Sequence, residues 1–394
     1  MSEPLSAPAP HTKSNRLRVL GTDVTLNETL RRSAQDDLGL ELEFIVLDGI
    51  EAQRRGALAP DSFDIYDQWF HDLDLVWPAR SLKPIECQRI ACWPELMAWS
   101  VLHPDQPAGV LSGTPLDRLF VQPSGELDRA QSDQISMMPT VYNADSFAIM
   151  GDDTVPMPTS WADLLSPKWH GKVAIQADAA IGVPDLLMAL RADGAFTSLT
   201  PGNLSLAEIN TFIRLIKQYQ LTGHFTGFWT DNAPVSQKTA TLSTMWWSNF
   251  LAHKAKGRAI RMCAPVEGYR GWCGGMALSQ MLDPRREDLA YAYLNWWQSG
   301  PAGAIMARNG AYMAAPSSTK AHLSANEWGF WYGGQAASDA IHDPFGNVVY
   351  HKGERREGGS CATRQKQIVV WNSVMDEHNF LVRLWNVITQ EALI

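Results

Sequence analysis

Residues 17–70 alternate between short runs of branched apolar residues and polar, helix-capped stretches, and few folds accommodate that pattern. "LRVLG" (17–21) reads as a strand and "TLNETLRRSAQDDLG" (25–39) as a helix. Thr25 and Glu28 have capping-box spacing, and Gly39 stands where the helix must stop. "LELEFIVL" (40–47) and "FDIYDQWF" (63–70) are two further strands. The order β-α-β-(α)-β predicts an α/β domain with a mostly parallel sheet. A ligand crevice then belongs at the carboxyl ends of its strands. At 394 residues the chain is too long for one ordinary core, so two domains are expected.

The rest of the chain reads as further strands and helices after an interruption. Residues 94–134 are rich in Pro, Gly, Ser and Asp and read as an insertion of loops with a hairpin. A compact pattern resumes at "SMMPTVYNADSFAIM" (136–150). "TSWADLLSPKWHGKVAIQ" (159–176) reads as a short capped helix, a turn and a strand. "SLAEINTFIRLIKQYQ" (205–220) opens with the capping box Ser205–Glu208 and carries the stripe Ile209, Phe212, Ile213 and Ile216. "ATLSTMWW" (240–247), "RAIRMCAP" (258–265) and "MALSQ" (276–280) read as strands. Residues 286–300 read as an amphipathic helix, and 367–390 as a closing helical segment. If 240–247 is a strand throughout, Trp246 and Trp247 face opposite sides of it.

Composition excludes several function classes. The net charge is −9 and no basic stripe is evident, which argues against a nucleic-acid partner. No run of 18 apolar residues is present, so no membrane-spanning helix is expected. Residues 1–16 are polar and Pro-rich without an apolar core; 1–15 read as a flexible leader, and no export signal is visible. The five cysteines, Cys87, Cys92, Cys263, Cys273 and Cys361, have no zinc-site spacing. Cys263 with Cys273, or Cys87 with Cys92, can bridge, and an odd count leaves at least one thiol free. G-x-S-x-G, P-loop and H-E-x-x-H motifs are absent, and the ten histidines lack ligand spacing. No enzyme, cofactor or metal site is expected.

The stretch "TSWADLLSPKWHGKVAIQADAA", followed in order by "TLSTMWWSNFLAHKAKGRAI", "APVEGYRGWCGGMALSQ" and "LNWWQSGPAGAIMARNGAYMAAPSS", resembles the spermidine/putrescine-binding branch of the extracellular solute-binding proteins that serve ABC importers. The resemblance runs from about 17 to 320, with a weaker echo at 367–390. It implies the two-lobed type II periplasmic-binding-protein fold, with mixed sheets flanked by helices and a ligand cleft at a two-crossover hinge. Lobe one would comprise 16–139 and 271–312, and lobe two 140–270 and 313–394, with insertions at about 94–134 and 323–366. It further implies a small-molecule ligand, an ABC transporter membrane permease as partner, a periplasmic location, a monomer, and hinge closure around the ligand.

On this resemblance Trp246 lines the cleft and packs on the methylene chain of an amine, Trp272 is a second such aromatic, Asp178 meets an ammonium, and Asn372 adds a polar contact. An indole face attracts a cation and a carboxylate adds charge-assisted hydrogen bonds, so such a site needs neither nucleophile nor base. Two departures stand out. "GTDVT" (21–25) lacks the family's aromatic pair, and Gly274 stands where the family has an acid. A long diamine held at both ends is therefore disfavoured, and a smaller quaternary ammonium or amino-acid-like amine is expected. "YDQWFHD" contributes Asp67 and Trp69 at the end of the third strand; "YNADS" contributes Asn143 and Asp145 at the first crossover. Trp247, Tyr312 and Thr22 complete the candidate set. The alternatives are an anionic ligand held by Arg270, with Arg308, and by the N-terminus of the first helix, beside Thr22 and Asp23, or, less favoured, an α/β enzyme.

Overall fold

The computed structural model describes residues 15–99, 113–152, 154–198, 200–230 and 240–391. The expected leader, apart from Asn15, and part of the first insertion lie outside them. Strand β1 (Arg16–Gly21) lies between β2 (Glu41–Val46) and β3 (Ile65–Trp69) and is parallel to both. Helix α1 (Glu28–Leu38) joins the first two, and α2 (Gly49–Leu58) leads to the third. Gly39 ends α1 in the left-handed conformation, at φ 64°. The cap at its start is Asn27, whose side chain accepts from the Leu30 N–H. Thr25 instead bonds Asp67.

A second group repeats this order. Strand Val173–Gln176 lies between Phe225–Trp229 and Leu242–Met245, parallel to both. Two long strands, Met138–Met150 and Tyr269–Ser279, run antiparallel to each other and knit the groups into one sheet. Tyr269–Ser279 pairs with β3 and Met138–Met150 pairs with Leu242–Met245. Helices and sheet bury two hydrophobic clusters. One is centred on β1, β3 and the helices 287–308; the other on Trp161, Phe212 and Trp385.

The differences from the sequence reading have local causes. "MALSQ" is the end of an 11-residue strand, Tyr269–Ser279, hidden by three glycines. Two of these permit close contacts. A Cβ on Gly271 would lie 2.9 Å from the Trp371 ring, and one on Gly275 2.5 Å from Met137. Within 367–390, Ile368–Trp371 is a strand parallel to Tyr269–Gly271, and the helix starts only at His378. The run "IVVW" is β-branched, and strand pairing claims it. Residues Trp161–Leu165 form a 3₁₀ helix with the capping box Ser160–Asp163. Near the first insertion, the segments 85–86, 134–135, 120–121 and 127–128 make a small antiparallel sheet. All five cysteines are free thiols. Among the described residues no helix is long and apolar enough to cross a membrane.

The two adjacent tryptophans do not alternate across a strand. The strand stops at Met245, Trp246 takes the N-cap position, and Trp247 begins the helix Trp247–Ala255. The turn, rather than the pleat, sends the rings apart.

Candidate binding site

The three parallel strands of each group, six among the described residues, end at one cavity of about 390 Å³. From the first group come Thr22 and Val24 after β1, Asp48 to Ile50 at the start of α2, and Trp69 ending β3. From the second come Gln176 to Asp178, Phe228 with Thr230, and Trp246. Asn386 and Thr389 of the helix His378–Glu391 add a side wall. This is the crevice that strand carboxyl ends create in an open α/β sheet, here shared by two sets of strands.

Two carboxylates face this space from opposite groups, and each caps a helix. Asp178 Oδ1 accepts the Ala180 N–H at 2.8 Å, at the start of Ala179–Ala192. Asp48 Oδ1 accepts the Glu51 N–H at 3.0 Å. Burial raises the Asp178 carboxyl above its ordinary range, and the charge of Asp48 pushes the same way. Among the described residues no Lys, Arg or His lines the cavity.

Behind it three indoles close the waist. The Trp272 ring stands edge-on to Trp69, with centroids 5.0 Å apart, and edge-on to Trp246 at 6.1 Å. The pit they border holds only about 10 Å³. Trp272 is fixed from behind, since its Nε1–H donates to Asp145 Oδ2 at 2.6 Å. Burial lifts Asp145 to about 6, with nearby Arg270 opposing the rise.

Arg270 is 1% exposed and does not line the cavity. It lies opposite Asp145 in one crossing strand and opposite Val370 in another. Its Nε donates to Asp185 Oδ1 and one terminal nitrogen to Asn372 Oδ1, both at 2.7 Å. Its guanidinium carbon lies 5.1 Å from the Trp246 ring centroid. Arg308 pairs with Glu327 at 2.6 Å.

Of the residues nominated from sequence, Trp246, Trp69, Asp178 and Thr22 are brought together around the cavity, and Trp272 packs against two of them. The others lie elsewhere. Asn143 borders only the narrow pit and donates to the Gly310 carbonyl at 2.8 Å. Asn372 is spent on Arg270. Asp145 is fully buried under Trp272. Tyr312 is core, 5.6 Å from both the Tyr142 and Tyr332 rings. Trp247 is buried against two guanidiniums from the second insertion, Arg356 at 4.1 Å and Arg364 at 4.8 Å. Asp48 was not nominated, although an Asp placed directly after the second strand with Glu51 three residues on is a cap signal. Phe228 and Thr230 end a strand the sequence reading did not single out.

Asp67 is also buried away from the cavity, with Oδ2 unpartnered. Burial pushes its carboxyl from 3.8 up to about 7, partly opposed by the Thr25 hydrogen bond. An acid whose native pKa exceeds its unfolded one takes up a proton on folding. The stability it contributes is complete below 3.8 and lost as pH rises through about 7. Asp67→Asn keeps the shape and removes the charge. It should raise the unfolding free energy at pH 8 by on the order of 1–3 kcal/mol, with wild type and variant converging at acid pH. Urea titrations at both pH values check this, and an offset independent of pH would exclude it.

A family profile described as bacterial extracellular solute-binding protein matches residues 131–333, just over half of the chain. No curated protein matches the sequence. Among solved structures, the fold is similar to a spermidine/putrescine ABC transporter substrate-binding protein from Streptococcus pneumoniae, at 12% identity and TM-score 0.62, covering 96% of this chain and 99% of that one. It is also similar to a PBP from A. tumefaciens B6 in complex with glucopine, at 13% identity and TM-score 0.58, covering 96% and 97%. A third likeness is to a GABA receptor, at 14% identity and TM-score 0.56, covering 96% of each chain. The two-group sheet with its shared cleft and the profile match agree: this chain belongs to the bacterial extracellular solute-binding proteins.

Proposed function

We infer that this chain captures a small organic cation in the cavity between its two strand groups and delivers it, outside the cytoplasm, to the membrane permease of an ABC importer. The two groups act as lobes that close on the ligand, and no chemistry is performed on it. One observation carries the choice of charge. Asp48 and Asp178 enter the cavity from opposite sides beside the Trp69 and Trp246 rings, and no described basic side chain lines it. A carboxylate raised by burial gains most from a cation that desolvates with it, and an indole face adds attraction of about 0.5–2 kcal/mol. The similar proteins, a spermidine/putrescine transporter component, a protein in complex with glucopine and a GABA receptor, differ in what they bind and leave the choice to the cavity. The anionic alternative has less support, because Arg270 and Arg308 are each engaged by protein partners.

A thermal-shift panel of primary amines, quaternary ammoniums, carboxylates and sugars tests this reading. A ligand that binds only the native state raises Tm by mass action, by about 2.7 kcal/mol of stabilisation at a hundredfold excess over Kd. Shifts are expected from ammonium compounds alone. A shift from a carboxylate or sugar with none from any amine would overturn the assignment.

A further inference from the structure

Resting on the cationic reading above, we propose that the cavity selects a cation with a broad apolar body, a ring or branched hydrocarbon bearing one ammonium, over a thin polymethylene amine or a compact quaternary ammonium. A thin chain is best recognised in a slot between parallel aromatic faces. Here that slot is filled. Trp272 stands edge-on between Trp69 and Trp246, and the residual pit of about 10 Å³ holds no more than one water. A ligand must instead lie on the open side of Trp69 and Trp246. The space there is about 390 Å³, within the range of sites for drug-sized molecules and larger than a choline-sized guest requires. Its surface is mostly hydrocarbon, with Ile181 and Phe228 in one wall and Ile50 in the other. Ile50 is 61% exposed, so its side chain leaves most of its surface for a guest to cover. The acids sit at the helix starts, one to each wall, so one ammonium meets a carboxylate while the body spreads over the apolar surface.

Calorimetric titration of the full chain with tryptamine, putrescine, choline and the uncharged indole-3-ethanol tests this. Tryptamine should bind at least about tenfold more tightly than each of the other three. Putrescine or choline binding as tightly as tryptamine would overturn the selectivity and leave the cationic reading intact. Indole-3-ethanol binding as tightly as tryptamine would overturn the cationic reading and this inference with it. So would the absence of binding by every amine.

Discussion

Arg270→Met should lower the unfolding free energy by about 3–5 kcal/mol, the largest single effect expected of a side chain beside the cleft. The guanidinium and the Asp185 carboxylate are both buried and bonded at 2.7 Å. Removing the cation strands Asp185, one of whose oxygens is already unpartnered, and takes away the charge that opposes the rise of Asp145. Asn372 loses its donor and Trp246 the cation behind its ring. Met retains much of the volume, so the loss reports electrostatics and hydrogen bonding more than a cavity. Adding Asp185→Leu should restore a substantial part, because the cost comes from an orphaned charge and not from the net worth of the pair. Urea titrations of the three variants measure this. A change under about 1 kcal/mol accompanied by loss of carboxylate binding would instead make Arg270 the contact of an anion binder.

What was readable from sequence was what neighbours along the chain decide. The β-α-β start, the stop at Gly39 and the capping box Ser205–Glu208 are local, and each is present. Of the stripe on the helix Leu206–Leu221, Ile209, Phe212 and Ile216 are buried as the spacing requires. The positions of Thr22, Trp69, Asp178 and Trp246 at strand ends are nearly as local, because an α/β sheet puts its crevice there whatever surrounds it. Residues whose environment comes from distant chain were not readable. Tyr312 and Trp247 are core because Arg356, more than 40 residues beyond Tyr312, folds back over both rings. Asp145 looked like a cleft acid at a crossover, yet the indole 127 residues away consumes it. The long strand Tyr269–Ser279 was obscured because its glycines, poor strand formers alone, answer to Trp371 and Met137 across the sheet. Asp48 was readable by the strand-end rule, because it directly follows the run 40–47 and caps the next helix.

Asp178→Asn separates the two duties of one side chain. As an N-cap, Asn is about as good as Asp, since either oxygen accepts the N–H of the first turn. The helix Ala179–Ala192 should therefore form unchanged, with stability within about 0.5 kcal/mol of wild type. As a ligand group, Asn lacks the charge. A hydrogen bond between a carboxylate and an ammonium contributes about 1.5–3 kcal/mol, so the affinity for the amine with the largest thermal shift should fall roughly 10- to 100-fold. The pH dependence gives a second signature. Burial holds the Asp178 carboxyl above the ordinary carboxylate range. Wild-type affinity should fall as pH drops through that raised value, because the acid must give up its charge to take a proton. The Asn variant should lack that component. Calorimetric titrations of both proteins between pH 4 and pH 8, with unfolding curves alongside, read the two duties independently. Equal affinity at neutral pH would reduce Asp178 to a helix cap and leave Asp48 to meet the cation alone.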